Sequence, residues 1–150
     1  MRTLQDENGK DITVLLNGRH HKLWTIHDVT NPQHEVEVTQ CVVKFRHAER
    51  IVRGMDDQYH SDFQIWVKGQ QFYGELDRGT ESKDILKKRI SKYAGCPVDV
   101  MWICPNGARA DVVLSFVPEG MEIWVTTYPE LLANVQGHIW RDRAGNVSAF

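Results

Sequence analysis

Three carboxylates, Asp62, Glu75 and Asp77, have the types and the spacing to do chemistry together. They flank a stretch, Ser61 to Ser82, in which apolar residues alternate with polar ones on either side of Gly69. Phe63, Ile65 and Val67 before the glycine, and Phe72 and Leu76 after it, follow the period of two that marks a half-buried β-hairpin. A two-residue loop at Gly69-Gln70 predicts that Val67 pairs with Phe72, Ile65 with Gly74 and Phe63 with Leu76. The opposite face then carries Asp62, Gln64, Trp66, Lys68, Gln71, Tyr73, Glu75 and Asp77, with Asp62 directly across from Asp77. Like charges paired across strands repel by roughly 0.2–1 kcal/mol if the penalty mirrors the gain of opposite charges. A divalent cation, Mg²⁺ or Mn²⁺, would offset that repulsion, and a metal-bound water can be activated to attack a phosphate. A solvated hairpin whose acids face water accounts for the same spacing, and both readings stay open on these residues alone.

The elements around the hairpin decide what those acids meet. Gly79-Thr80 breaks the second strand, Ser82 is placed to cap a helix, and residues 83 to 93 pack through Ile85, Leu86, Ile90 and Tyr93. The other positions hold Lys83, Lys87, Lys88 and Lys92, with Arg89 at the edge of the packed face and Asp84 as the one acid. This is the strongest basic patch in the chain and the candidate nucleic-acid-binding surface, acting through phosphate contacts. Upstream, Asn31-Pro32 announces a helix expected to run to about Arg50, with Val38, Cys41, Val42, Phe45 and Ala48 facing the core. Its first turns hold His34 and Glu37, and its continuation would align Arg46, Arg50 and Arg53 as a stripe, partly offset by Glu49. Residues 1 to 11 read as a polar arm or the first leg of a hairpin, followed by two β-like runs, ITVLL and KLWTI. Downstream, the pattern predicts a buried strand over 98–104, a turn at Pro105-Asn106-Gly107, a helix over 108–116 and a strand over 121–127. Such a succession extends a sheet by a parallel crossover. A short helix over 129–135 and a hairpin turning at Ala144-Gly145-Asn146 complete the reading.

Asp62, the hairpin, and the run Glu75-Leu76-Asp77-Arg78-Gly79-Thr80-Glu81 together resemble the signature of the replication-relaxation family, proteins of plasmids and other mobile elements. That family in turn resembles the PD-(D/E)XK nuclease superfamily. His34-Glu35-Val36-Glu37-Val38 is similar to the start of the family's first helix, and Arg89-Ile90-Ser91-Lys92-Tyr93 to its basic helix end. The resemblance implies an α/β fold with a restriction-endonuclease-like core: a helix, three strands, a helix and a fourth strand, forming a mixed central sheet with flanking helices. It implies Asp62, Glu75 and Asp77 as metal ligands and catalytic residues, with Glu37, His34 and Gln64 as accessory candidates around them. Two positions depart from the nuclease motif. Ser61 stands where it has proline, and Asp77 stands where it has the lysine that positions the attacking water; Lys83, Lys87 and Arg89 are the candidates to replace that lysine.

The whole chain sets the outer bounds. Its 150 residues read most simply as one domain. A formal charge of −2 gives no overall pull toward nucleic acid, so DNA binding would rest on local basic patches. The three cysteines lack finger spacing, which predicts buried thiols in a reducing compartment. No apolar run approaches the ~20 residues of a membrane span, so the expected location is the cytoplasm. Three functions follow: a metal-dependent nuclease-fold protein acting on DNA, a non-catalytic nuclease-like domain that binds DNA or a replication protein, and an interaction module with no nucleic-acid role. A second copy of the chain is a further partner these readings admit.

Overall fold

The computed structural model describes residues 2–3, 5, 9–16, 19–22, 24–25, 31–53 and 58–150. The chain divides into two compact units, Met1–Gln40 and Cys41–Phe150. In the first, β1 (Arg2–Thr3) pairs with β4 (Trp24–Thr25), and β2 (Thr13–Leu16) pairs with β3 (Arg19–Lys22), both antiparallel. Helix α1 (Pro32–Val42) follows, and the unit boundary falls in its last turn. The second strand of the β2–β3 hairpin begins at Arg19, so the pairing sets in before the predicted KLWTI run.

Helix α1 ends at Val42, well short of the expected Arg50. Paired β-branched residues at Val42-Val43 weaken the helix there. Turns carry the chain over Lys44 to Ala48 into β5 (Arg50–Arg53), where Ile51 and Val52 favour the extended form. The arginine stripe therefore does not exist as a helical feature. Arg46 lies in a turn, while Arg50 and Arg53 sit at the two ends of a strand, with Arg50 over the ring of Trp66 at 4.9 Å. Gly54, the expected breaker, lies outside the described residues.

The second unit is a seven-stranded mixed sheet in the order β11-β10-β9-β8-β7-β6-β5. Its strands are β5, β6 (Phe63–Val67), β7 (Gln70–Leu76), β8 (Asp99–Cys104), β9 (Ile123–Thr127), β10 (Trp140–Arg141) and β11 (Val147–Ser148). The β5–β6–β7 stretch is an antiparallel meander, β7, β8 and β9 run parallel, and β10 and β11 return antiparallel. Helices α2 (Lys83–Ser91) and α3 (Gly107–Phe116) form the crossovers β7–α2–β8 and β8–α3–β9, so the predicted strand, helix, strand succession is parallel as expected. Ser82 caps α2, its hydroxyl accepting from the Ile85 amide, and α4 (Tyr128–Ala133) opens with a reciprocal Thr127–Glu130 capping box. Among the described residues, no helix is long and apolar enough to cross a membrane.

The hairpin has the predicted faces with a different register. Val67 pairs with Gln70, Ile65 with Phe72 and Phe63 with Gly74, two residues from the expected pairing. A shift of two leaves every side chain on its own face. Phe63, Ile65, Val67, Phe72 and Leu76 are all buried. The loop is Lys68-Gly69 with φ of 52° and 77°, the two positive angles of a type I′ turn. Gly74 explains the register: a Cβ there would lie 2.1 Å from Phe63 Cζ, so the aromatic ring occupies the space that glycine leaves open.

Candidate functional site

The face of β7 that carries Tyr73 and Glu75 is covered, not solvated. Leu86 and Ile90 of α2, with Tyr93 just beyond it, pack with Trp102, Cys104, Ala110 and Val113 into one apolar cluster that Tyr73 also joins. Glu75 and Asp77 therefore sit under a helical layer, each with 1% of its surface exposed. A buried carboxylate must be paired or bound to a cation.

The chain's own basic residues supply that pairing. Glu75 Oε1 accepts from the Tyr93 hydroxyl and lies 2.5 Å from Lys92 Nζ, while Oε2 accepts from Arg89 Nη2. Asp77 is gripped by Arg109, whose Nε donates to Oδ2 at 2.7 Å and whose Nη2 donates to Oδ1 at 3.2 Å. Asp77 Oδ1 also accepts from the Gly79 amide at 2.7 Å, closing a turn for which Gly79 adopts φ 74°. Asp62 serves the backbone: its amide donates to Gly74 and its Oδ2 accepts from the Leu76 amide at 2.8 Å, continuing the β6–β7 ladder past Phe63.

Electrostatics lock these pairs. Burial alone would favour loss of the Arg89 proton, but the Glu75 carboxylate and the bonds to Glu81 and Glu75 outweigh it and raise the pKa, so the guanidinium stays charged. Arg89 also lies 5.0 Å over the ring of Trp102. Cys104, at the end of β8, has its pKa pushed well above the ordinary thiol range by burial and then by the charge of Asp77. It is a protonated core thiol and no nucleophile.

A divalent metal does not fit this arrangement. Both oxygens of Glu75 and both of Asp77 already accept from charged or hydroxyl donors, and Arg89, Lys92 and Arg109 surround them with positive charge. Among the described residues, no group of three or more His, Cys, Asp or Glu side chains is placed to hold a metal ion. The expected ligand set of Asp62, Glu75 and Asp77 is thus a pair of buried ion-pair anchors and a ladder-extending aspartate.

The remaining candidates separate. Arg89 is brought into the cluster, while Lys83, Lys87 and Lys88 stay on the exposed side of α2, with Lys87 Nζ 4.8 Å over the ring of Phe116. Lys92 was expected among the phosphate contacts and instead lies against Glu75 and the His60 carbonyl oxygen. Gln64 accepts from Gln71 across the hairpin. Glu37 accepts from Gln33 within α1, and the His34 amide donates to Asn31 Oδ1 at the start of that helix.

Arg109, which holds Asp77, is not among the residues that the spacing of charges singles out. A topological signal was available. In consecutive parallel crossovers, the start of α3 emerges at the carboxyl end of β8, beside the carboxyl end of β7 where Asp77 lies. A basic residue in the first turn of α3 is therefore placed to meet an acid at that end. No family model, no curated protein and no solved structure matches this chain.

Proposed function

We propose that this chain is a nuclease-like domain that binds DNA without cutting it, as expected of a non-catalytic relative of the replication-relaxation family. The observation that carries the reading is where the acids fall in the order of elements. A helix, an antiparallel three-stranded meander, a helix and a parallel fourth strand follow one another as α1, β5–β6–β7, α2 and β8. Asp62 immediately precedes the second strand of the meander, and Glu75 and Asp77 lie at the end of the third. This order supports the reading, because it is the one that the resemblance to the restriction-endonuclease-like core implies for the elements and for the three acids.

The chemistry at those positions argues for binding over cleavage. Arg89, Lys92 and Arg109 neutralise the acids that a nuclease would use for metal, and the lysine position is the aspartate that Arg109 holds. The acids instead anchor the C-terminal end of α2, through Arg89 and Lys92, and the first turn of α3, through Arg109. Helix α2 presents Lys83, Lys87 and Lys88 outward, where they neutralise backbone phosphates and release counterions.

The test is duplex DNA binding across a salt series, beside nicking of supercoiled plasmid with Mg²⁺ and with Mn²⁺. Binding that weakens with salt, no nicking, and a slope reduced by about two in Lys87→Gln/Lys88→Gln are expected, since each lost phosphate contact removes about one. Absence of salt-dependent binding overturns the proposal. Metal-dependent nicking that Glu75→Ala abolishes replaces it with the metal-dependent nuclease reading.

A further inference from the structure

Two guanidinium groups reach one half-buried residue, Glu81. Arg89 commits Nη2 to Glu75 and directs Nη1 to the Glu81 carboxylate at 2.7 Å. Arg109 commits Nε and Nη2 to Asp77 and turns Nη1 toward the Glu81 carbonyl oxygen at 3.4 Å. Glu75 and Asp77 are fully enclosed and hold both arginines in place, whereas the Glu81 side chain is 33% exposed. Glu81 also belongs to the short connection between β7 and α2, immediately before the capping Ser82.

Resting on the DNA-binding reading, we infer that Glu81 is a displaceable stand-in for a phosphate group, and that a phosphate of the DNA backbone takes its place on Arg89 and Arg109. Charge favours an anion there. With Glu81 turned outward, the ion pairs that hold Arg89, Lys92 and Arg109 set three cations against the two carboxylates of Glu75 and Asp77. Geometry favours phosphate over the carboxylate it replaces. Glu81 gives Arg109 Nη1 only a long bond to its backbone oxygen, while a tetrahedral phosphate carries enough oxygens to accept from both Nη1 groups. The neighbouring first turn of α2 offers the same charge preference through its amides. Bound in this way, DNA is held by the half-buried arginines as well as by the exposed lysines, and Glu81 sets a threshold that weak anions do not pass.

The experiment compares wild type, Glu81→Gln, Glu81→Ala and Asp84→Asn at one ionic strength. Asp84 is an exposed acid in the first turn of α2, and its variant removes the same charge close by without touching the arginines. Duplex oligonucleotide affinity is measured, together with thermal stabilisation by inorganic phosphate. Both Glu81 variants should bind the duplex about fivefold more tightly, the effect of removing one competing ion pair, and Asp84→Asn should gain less than about twofold. Phosphate should stabilise both Glu81 variants more than wild type. Equal gains at positions 81 and 84 would reduce the effect to general charge and overturn the inference. Salt-dependent wild-type binding that neither Glu81 variant strengthens would overturn it while leaving the DNA-binding reading intact. If no protein binds the duplex but phosphate stabilises the Glu81 variants selectively, the arginine fork stands and the DNA reading falls; if phosphate stabilises none, both fall.

Discussion

Removing the guanidinium of Arg109 should strand a charge in the core. The Asp77 side chain is 0% exposed and that of Arg109 13%, and without Arg109 the carboxylate keeps only the bond from the Gly79 amide among its contacts described above. Breaking a buried pair by deleting one partner costs about 3–5 kcal/mol, since the remaining charge is neither paired nor solvated. For a chain of this size that is a drop of about 6–20 °C in melting temperature. Asp77→Asn should cost less, about 1–2 kcal/mol, because the amide oxygen still accepts from Gly79 and Arg109 has an edge toward solvent. The decisive quantity is the double-mutant cycle. Arg109→Met with Asp77→Asn together should cost less than the sum of the single changes by on the order of 2 kcal/mol, since neither variant then leaves an unpaired buried charge. Urea unfolding followed by tryptophan fluorescence reads it, because four of the five tryptophans, Trp66, Trp102, Trp124 and Trp140, lie in the unit from Cys41 to Phe150. Costs that add to within about 0.5 kcal/mol would refute the assignment of Arg109 as the partner that makes burial of Asp77 tolerable.

Other perturbations test the frame around the site. Gly74→Ala should destabilise by at least about 1–3 kcal/mol in thermal unfolding, because the new methyl group would meet the Phe63 ring at 2.1–2.4 Å; an unchanged melting temperature would mean that the ring does not fill that space. Lys68→Asn should stabilise by about 0.5–1 kcal/mol, since asparagine tolerates the φ of 52° better than lysine, and a loss of stability would argue against the type I′ turn. Cys104 should resist alkylation in the native protein at mildly alkaline pH, while the half-buried Cys96 reacts first. The raised Cys104 pKa also contributes stability that is complete below the ordinary thiol pKa of about 8.5 and declines as pH rises above it, where the unfolded state loses its proton first. Cys104→Ala should flatten that alkaline decline in a series of unfolding curves.

What could be read from the chain directly was the pattern set by neighbours along it. The period of two in Phe63 to Leu76 assigned the faces of the hairpin, and this survived an error of two residues in register because parity is insensitive to even shifts. Ser82 as a cap, the α2 helix, and the parallel strand, helix, strand succession from Asp99 to Thr127 were legible for the same reason. The end of α1 was less legible, because apolar spacing continued through Phe45 after the backbone had left the helix.

Tertiary structure decided the rest. The sequence presents Asp62, Glu75 and Asp77 as one polar face, and no local pattern reveals that α2 covers that face or that its partners come from far along the chain. Arg89 lies 14 positions from Glu75, and Arg109 lies 32 from Asp77. Which cation meets which acid depends on the helix face laid against the sheet and on the strand end from which each helix emerges, and neither is encoded in the spacing of charges. Three acids on one face therefore suggested a metal ion, where folding had brought in the arginines and the lysine that make the burial of two of them, Glu75 and Asp77, possible.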